Sequence, residues 1–324
     1  MHNARVQADT QEFTALTSSA GWLDQSHRSR LCLLGADRTQ FLHGQVTNDI
    51  NRLDELTGCY AALVNAKGKM ECDLFAYRLT DEILLDFEPD LTATVRDRLE
   101  KYIIAEDVEI AEAEPHYGLL TVQGPESAAV LTALNLPTPT VALTVATAES
   151  DIYVIHQPRL GTVGFDLFIP VDALDDWRTR LNTHAPQCQP AAFEKARVLA
   201  TIPRFGVDLT GDNLPPEGGL EDRAISYAKG CYIGQEIIAR IRTYGQVTKA
   251  LRGLQLEGEA AAGDAVLHKD KPVGLLSSVC TEPHAALAIL KRAALEPGTA
   301  LQVDTKNGSV SAQVATLPFE KFVS

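Results

Sequence analysis

The chain has 324 residues, of which 45% are hydrophobic, which is enough for a large core and, at roughly 150 residues per domain, for two or three domains. Its 29 basic and 43 acidic side chains give a net charge of −14, which argues against a general affinity for nucleic acid or anionic membranes. No stretch approaches the roughly 20 apolar residues of a membrane span, and the N-terminus has no signal-peptide or transit-peptide pattern. We therefore expect a cytoplasmic protein that binds neither nucleic acid nor membrane.

The first two thirds of the chain predict antiparallel strands covered by helices. A short apolar strand at 30–36 precedes Asp37 and Gln40, which are spaced like a capping box at the start of a helix, and β-rich runs on both sides of 65–69 predict a hairpin. The further predicted elements are strands at 83–87, 119–122, 151–156 and 165–169 and helices at 91–104, 127–134 and 172–182. This mixture predicts α+β layers, and the glycine motifs of nucleotide-binding folds are missing.

The pattern changes near Gln246, where short strands separated by Gly, Asp and Pro begin. The predicted strands are 250–256, 265–267, 273–279, 301–303 and 309–314. Such spacing predicts a small β-barrel of about 80 residues. We therefore divide the chain into a discontinuous α+β region at 1–245 and a barrel domain at 246–324. The Gly-rich and Pro-rich segment 203–221, between the two patterns, is interpreted as an ordered functional loop or a linker.

One segment of this acidic protein is basic. Residues 229–252 hold five cations against the single anion Glu236, so the segment carries +4 and the other 300 residues carry −18. The imbalance predicts a specific anionic ligand, and Arg240, Arg242 and Lys249 are candidate partners for carboxylates. The run after Gly234 has helical spacing, in which Glu236 and Arg240 stand four residues apart and can pair.

Cys231 lies just before this predicted helix and two residues after Lys229. A helix N-terminus and a nearby ammonium both favour thiolate over thiol, which predicts a reactive cysteine. The alternative is a buried cysteine that packs under the start of the helix, which is a common role for free cysteines. The six cysteines lie at least 13 residues apart, so no local metal-chelating pattern exists, and we expect no metal site.

The octapeptide 229–236 (KGCYIGQE) resembles the K-G-C-Y-x-G-Q-E signature of the YgfZ-like folate-binding proteins, a branch of the aminomethyltransferase superfamily that includes the glycine-cleavage T-protein. The seven specified residues of the signature are all matched, which makes it highly specific. Other stretches that resemble the same superfamily are 41–49, 65–69, 123–125, 164–166, 203–208 and, in the barrel, 273–274 with 277–278.

The resemblance implies a T-protein-like fold with two α+β lobes, one of them ferredoxin-like, and a C-terminal β-barrel around a folate channel. It implies binding of tetrahydrofolate or a derivative, preferably polyglutamylated, and support of iron–sulfur cluster assembly or repair, with indirect effects on tRNA modification. The expected partners are iron–sulfur proteins or the machinery that assembles their clusters. The site residues implied for cofactor binding are Lys229, Tyr232, Gln235, Glu236, Arg240, Arg242 and Glu217, and Cys231 and Asp73 are implied for the chemistry.

The sequence departs from the superfamily pattern at two positions. Leu199 stands where a glutamate often contacts the pterin, and leucine cannot accept hydrogen bonds from the pterin N–H groups. We therefore expect pterin recognition to be either weakened or supplied from elsewhere, with Glu217 as a candidate. Cys72 and Asp73 stand where the T-protein has paired aspartates, which leaves one carboxylate. Asp73 is expected to orient or protonate a folate amine, the alternative being a solvent-facing strand residue.

Three functions follow from these residues. The leading hypothesis is a folate-binding factor for iron–sulfur proteins that uses the Cys231 thiolate. The rival is a tetrahydrofolate-dependent aminomethyltransferase or related one-carbon transferase, against which the changes at positions 72 and 199 count. The third is a binding module without catalysis, in which folate occupancy regulates docking to a partner protein.

Overall fold

The computed structural model describes residues 2–149, 151–245 and 247–316. Its strands are β1 (Gly21–Asp24), β2 (Ser29–Leu34), β3 (Thr57–Val64), β4 (Met70–Arg78), β5 (Ile83–Phe87), β6 (Glu109–Glu112), β7 (Tyr117–Gln123), β8 (Val145–Ala148), β9 (Ile152–His156), β10 (Gly164–Pro170), β11 (Lys249–Leu256), β12 (Ala265–His268), β13 (Lys271–Thr281), β14 (His284–Lys291), β15 (Ala300–Thr305) and β16 (Gly308–Val314). Its α-helices are α1 (His2–Ser18), α2 (Arg38–Gln45), α3 (Thr92–Glu100), α4 (Ser127–Ala133), α5 (Leu174–Asn182), α6 (Pro190–Leu199), α7 (Glu221–Ala224) and α8 (Gln235–Tyr244).

The chain forms two compact units, each built from separated stretches of sequence. The first unit comprises the chain up to residue 63 together with 72–196 and 228–232, and the second comprises 64–71, 197–227 and the chain from 233 onward. The division of the chain at 245/246 stays a prediction, because each unit combines segments from both sides of residue 200. The predicted boundary before position 246 falls on a residue outside those described, as do the last residues of the predicted barrel, 317–324.

The first unit contains two five-stranded sheets. Their strand orders are β3-β4-β5-β2-β6 and β1-β7-β10-β9-β8. Each sheet buries its own apolar face, and a further cluster that includes Tyr77, Ile155 and Phe168 packs between them. Burial of these side chains is the main stabilising contribution, at about 25 cal/mol per Å² of apolar surface. The predicted α+β layers are confirmed.

A buried network of charged side chains also joins the two sheets of the first unit. Arg28 donates to Asp86 over 2.8 Å, and Arg159 donates to Asp86 over 2.6 Å and to Asp166 over 2.9 Å. Burial alone would raise the pKa of Asp86, but the two guanidinium groups hold it below its usual value. Each buried charge thus has a partner, which is the condition for tolerating charge in a protein interior.

The second unit contains the predicted barrel. Six strands close in the order β11-β14-β13-β12-β15-β16, all antiparallel, around side chains such as Leu254 and Val266. Arg197 ties the barrel to the preceding loop, because it pairs with Asp208 and donates to Ser278 Oγ over 2.6 Å, while Ser278 donates to Asp208 over 2.7 Å. This network links two of the stretches that resemble the superfamily, 203–208 and 277–278, within one cluster of hydrogen bonds.

Several local predictions need correction. Asp37 occupies the position before α2 but makes no side-chain cap, because its Oδ2 accepts the Asp107 N–H at 2.9 Å instead. The helix predicted at 91–104 ends at Glu100. Strand β14 was missed, because the run HAALAILK has no period-two alternation: its consecutive residues 285–288 are all buried, so both faces of the strand lie in the interior. Helices α1 and α6 were also missed.

Candidate functional site

Strand β4 places Asp73 in the interior of the first unit. Its side chain is only 7% exposed, which rules out the solvent-facing alternative, and it accepts a hydrogen bond from the Tyr60 hydroxyl over 2.6 Å. Burial raises the pKa of Asp73 to about 6, although the Tyr60 hydrogen bond acts in the opposite direction. A carboxyl group with this pKa exchanges its proton near neutral pH, so it can serve as donor or acceptor toward a basic amine.

Tyr60 is a site residue that the sequence analysis missed. It lies on β3, the first strand of the predicted hairpin, and its ring centroid is 4.8 Å from that of Phe75 on β4. The sequence signal that could have revealed the pair is a tyrosine on one strand of the predicted hairpin and an aspartate on the other. The hydroxyl fixes the orientation of the Asp73 carboxyl group, because it occupies Oδ2.

Cys72, which stands in place of the second T-protein carboxylate, is fully buried. Its thiol donates to the Asp73 carbonyl oxygen over 2.9 Å, and burial raises the pKa of Cys72 well above its usual value. A thiol in this environment is inert as a nucleophile. Asp73 is therefore the sole acidic side chain at these two positions.

Lys229 is a buried lysine whose ammonium group faces the backbone. Its Nζ donates to the carbonyl oxygens of His43, Val46 and Asn48 over 2.5, 2.6 and 2.9 Å, and lies 4.9 Å from the ring centroid of Tyr232. Burial lowers the pKa of Lys229 to about 8. Each of the three N–H groups of the ammonium thus has a carbonyl acceptor, and Lys229 holds the backbone of residues 43–48 in place.

Cys231 is exposed, whereas the other five cysteines are buried. This rules out the alternative that it packs as a core residue. Burial raises the pKa values of Cys59 and Cys188 to about 12, so these thiols are poor nucleophiles as well as inaccessible. The neighbouring Tyr232 is buried, which raises its pKa to about 12. Access thus distinguishes Cys231 from every other thiol of the chain.

Two glycines of the recognised motifs meet in the second unit. Gly234, immediately before α8, has φ +81°, and a Cβ atom there would lie 2.4 Å from the Asn65 carbonyl oxygen and 3.2 Å from the Gly68 Cα. Only glycine avoids both the strain of a positive φ and this overlap. The hairpin turn 65–69 and the start of α8, where Gln235 and Glu236 lie, are therefore packed backbone to backbone.

Glu217 is buried in a short 3-10 helix, Pro215–Gly218. Its Oε2 accepts from the Leu214 N–H over 3.0 Å and from Asn213 Nδ2 over 3.3 Å, and lies 3.6 Å from Lys249 Nζ. These contacts give Glu217 a local role in ordering the loop. A pterin-binding role for Glu217 stays a prediction, and Leu199, at the position of the expected acid, is buried.

The cations predicted to meet carboxylates have different surroundings. Arg240 pairs with Glu236 over 2.8 Å on the exposed face of α8, as the spacing predicted. Arg242 lies over the ring of Tyr227, 4.1 Å from its centroid. Lys249 lies near Glu217. Of these three cations, Arg242 is the one that no carboxylate pairs with among the described residues.

The structure thus places several of the predicted site residues in pairs, one of which includes the unpredicted Tyr60. Asp73 with Tyr60 and Lys229 with Tyr232 belong to the first unit, and Glu236 with Arg240 and Glu217 with Lys249 belong to the second. Within the described part of the chain, no group of three or more His, Cys, Asp or Glu side chains is arranged to hold a metal ion. None of the described helices has the length and apolar character needed to cross a membrane.

Comparison with known proteins gives consistent matches along the chain. A family model described as the GCVT N-terminal domain matches residues 2–228, and one described as the glycine cleavage T-protein C-terminal barrel domain matches 249–321. A chloroplastic protein of Arabidopsis thaliana with a transferase name is 28% identical over 331 residues, covering 96% of this chain and 74% of its own length.

Bacterial relatives carry the name aminomethyltransferase. The one from Mycobacterium avium is 29% identical over 325 residues and that from Staphylococcus haemolyticus 26% over 322, covering 95% and 94% of this chain and 88% of each relative. The crystal structure of glycine cleavage system aminomethyltransferase T from Bartonella henselae matches with a TM-score of 0.89 at 21% identity, over 96% of this chain and 89% of that one. This likeness establishes a shared fold of α+β lobes and a C-terminal barrel.

Proposed function

Since the chain belongs to the glycine cleavage T-protein family, we propose that it binds tetrahydrofolate or a derivative and supports the assembly or repair of iron–sulfur clusters. The observation that carries this proposal is the exposure of Cys231 inside the octapeptide 229–236, in a chain whose other cysteines are all buried. An accessible thiol can contact sulfur, a cluster or a redox partner. Tetrahydrofolate, when bound, supplies amine nitrogens that carry one-carbon units.

The side chains of the first unit suit a reduced folate. The carboxyl group of Asp73, with its pKa raised to about 6, can share a proton with an amine, and the Tyr60 hydroxyl holds it in one orientation. The motif residues Lys229, Tyr232, Gln235 and Glu236 belong to this proposal as the segment that shapes the site around Cys231. Glu217 is proposed to take over part of the pterin recognition that Leu199 cannot supply.

The finer features of the proposal concern the folate tail, the clients and the location. A polyglutamyl tail would supply carboxylates for the basic segment 229–252, where Arg240 and Arg242 are candidate partners. The clients would be iron–sulfur proteins or cluster-assembly proteins in the cytoplasm, so tRNA modification would respond indirectly. This placement in the YgfZ-like branch rests on the octapeptide.

The test is complementation of cells that lack the gene, with activities of cluster-containing enzymes and tRNA thiolation as readouts. We expect Cys231→Ser to abolish support, because oxygen replaces the nucleophilic sulfur at nearly constant size. Ala228→Ser is the matched control, since it adds a hydroxyl at an exposed position of the same loop and should retain full support. Full support by Cys231→Ser would instead favour a binding module that needs no thiol.

A second candidate is a tetrahydrofolate-dependent aminomethyltransferase. The names of the bacterial relatives and the near-neutral pKa of Asp73 favour it, whereas the replacement of an acid by Cys72 and of a glutamate by Leu199 counts against it. The purified chain would be supplied with an aminomethyl donor and tetrahydrofolate, and methylene-tetrahydrofolate would be measured. Multiple turnovers that Asp73→Asn abolishes would establish the transferase.

A further inference from the structure

A cavity of about 550 Å³ lies within the second unit, beside the C-terminal half of α8. Its lining includes three arginines from separate elements: Arg242 on α8, Arg252 on β11 and Arg292 just after β14. The volume falls in the range of about 300–1,000 Å³ that small-molecule sites occupy. Two of these arginines lie outside the three cations that the sequence suggested for carboxylates.

None of these three guanidinium groups forms an ion pair with a carboxylate among the described residues. Arg252 is fixed by donation to the carbonyl oxygens of Leu295 and Leu251 over 2.8 and 2.7 Å, and the guanidinium carbon of Arg242 lies over the Tyr227 ring, 4.1 Å from its centroid. Arginine stays charged even in partly buried positions. The cavity therefore presents three cationic donors, of which Arg252 and Arg242 are oriented by their neighbours, in a protein whose net charge is −14.

Two glutamates complete the polar lining. Glu221 lines the cavity and accepts a hydrogen bond from the Tyr227 hydroxyl over 2.8 Å. Glu296, which follows β14 in the sequence, also lines the cavity. The lining thus combines guanidinium donors with carboxylate acceptors. A compact dianion such as phosphate would be repelled by the two glutamates, whereas a chain with separated carboxylates and intervening N–H groups could satisfy both kinds of partner.

We propose that this cavity binds an oligo-γ-glutamate chain, with its carboxylates on Arg242, Arg252 and Arg292 and its amide N–H groups toward Glu221 and Glu296. The identity of the ligand rests on the proposed folate function, since a polyglutamyl folate carries such a tail. The site itself rests on the arginines and on the absence of carboxylate partners for them among the described residues. Arg252 and Arg292 thus join Arg242 as partners of the tail, whereas Arg240 and Lys249 each already have a carboxylate neighbour.

The test uses γ-linked triglutamate without any pterin, titrated calorimetrically into the full chain at low salt. We expect binding that weakens as salt rises, because exposed charge pairs are screened. Arg292→Ala should weaken binding about three- to fivefold and the double variant Arg242→Ala/Arg292→Ala about tenfold. Lys306→Ala, which removes one exposed cation elsewhere on the barrel unit, is the charge-matched control and should bind like wild type.

Three results would overturn the proposal: no binding of triglutamate, equal loss in Lys306→Ala and Arg292→Ala, or tighter binding of α-linked triglutamate, which would identify an acidic peptide as the ligand. Monoglutamyl tetrahydrofolate is titrated in parallel to separate the two hypotheses. If it binds and triglutamate does not, the cavity assignment fails while the folate function stands. If triglutamate binds through the arginines and tetrahydrofolate does not, the folate function fails and the cavity remains a polycarboxylate site.

Discussion

The buried network around Asp86 in the first unit and the cavity beside α8 in the second unit treat charged side chains in opposite ways. In the first unit Arg28 and Arg159 are buried against Asp86 and Asp166, so every charge of that network has a partner at hydrogen-bond distance. In the second unit Arg252 and Arg242 have backbone and aromatic neighbours, and none of the cavity arginines forms an ion pair with a carboxylate among the described residues. Buried and paired charges fix the architecture of a protein, whereas oriented and unpaired ones are available to a ligand. The predictions below test the architectural side of this contrast.

The largest effect is expected from Asp86→Ala in the first unit. The substitution leaves two guanidinium groups buried without their shared carboxylate, which should lower the free energy of unfolding by about 3–5 kcal/mol. Urea denaturation measures the loss. Asp175→Ala is the control, because Asp175 also pairs with an arginine, Arg178, but is 93% exposed and should change stability little. Equal stability of the two variants would contradict the assignment of an architectural role to the network.

A smaller loss is expected from Gly234→Ala at the start of α8. The added methyl group meets the Asn65 carbonyl oxygen and the residue keeps a positive φ, so we expect a loss of about 2–3 kcal/mol. Gly298→Ala has a nearly identical φ of +83° and no atom nearer than 3.9 Å, so it should cost about 1 kcal/mol, from backbone strain alone. Thermal or urea unfolding of both variants isolates the packing contribution. Equal losses would mean that the contact is not tight.

The elements that could be predicted from the sequence are those whose signals are local. The hairpin at 65–69 and five of the six barrel strands follow from turn residues and alternation over a few positions. Strand β14 could not be found in this way, because its burial on both faces depends on partners brought in by barrel closure.

The residues of the candidate site also divide into those with a local sequence signal and those without one. Cys231 and Asp73 were found through motifs contiguous in sequence. Tyr60 was missed because its link to Asp73 depends on strand pairing, and Arg292 because it lies 40 residues beyond the basic segment. The same limit applies to the network around Asp86, whose arginines lie 58 and 73 residues away along the chain. A single sequence does not specify which distant residues the strand register brings together.

The smallest effect is expected at Asp73, the one buried carboxylate of the candidate site whose pKa is raised to about 6. The unfolded chain ionises Asp73 near pH 3.9, whereas the native state keeps the proton until about pH 6. The native state therefore binds more protons between these values, so the free energy of unfolding falls as pH rises from about 4 to about 6 and then levels off. Asp73→Asn keeps a group that can accept the Tyr60 hydrogen bond but cannot ionise. It should be more stable than wild type by about 1–2 kcal/mol at pH 7 and close to wild type at pH 4.

Urea denaturation at a series of pH values measures this difference, and Tyr60→Phe sharpens it. The Tyr60 hydroxyl favours the ionised form of Asp73, so its removal should raise the pKa of Asp73 further and extend the pH-dependent window above pH 6. Identical pH profiles for wild type and Asp73→Asn would show that Asp73 ionises in the native state as readily as in the unfolded chain. The more stable Asp73→Asn variant should also bind tetrahydrofolate more weakly. A buried carboxylate that destabilises the native state at neutral pH is expected where the ligand needs that carboxylate.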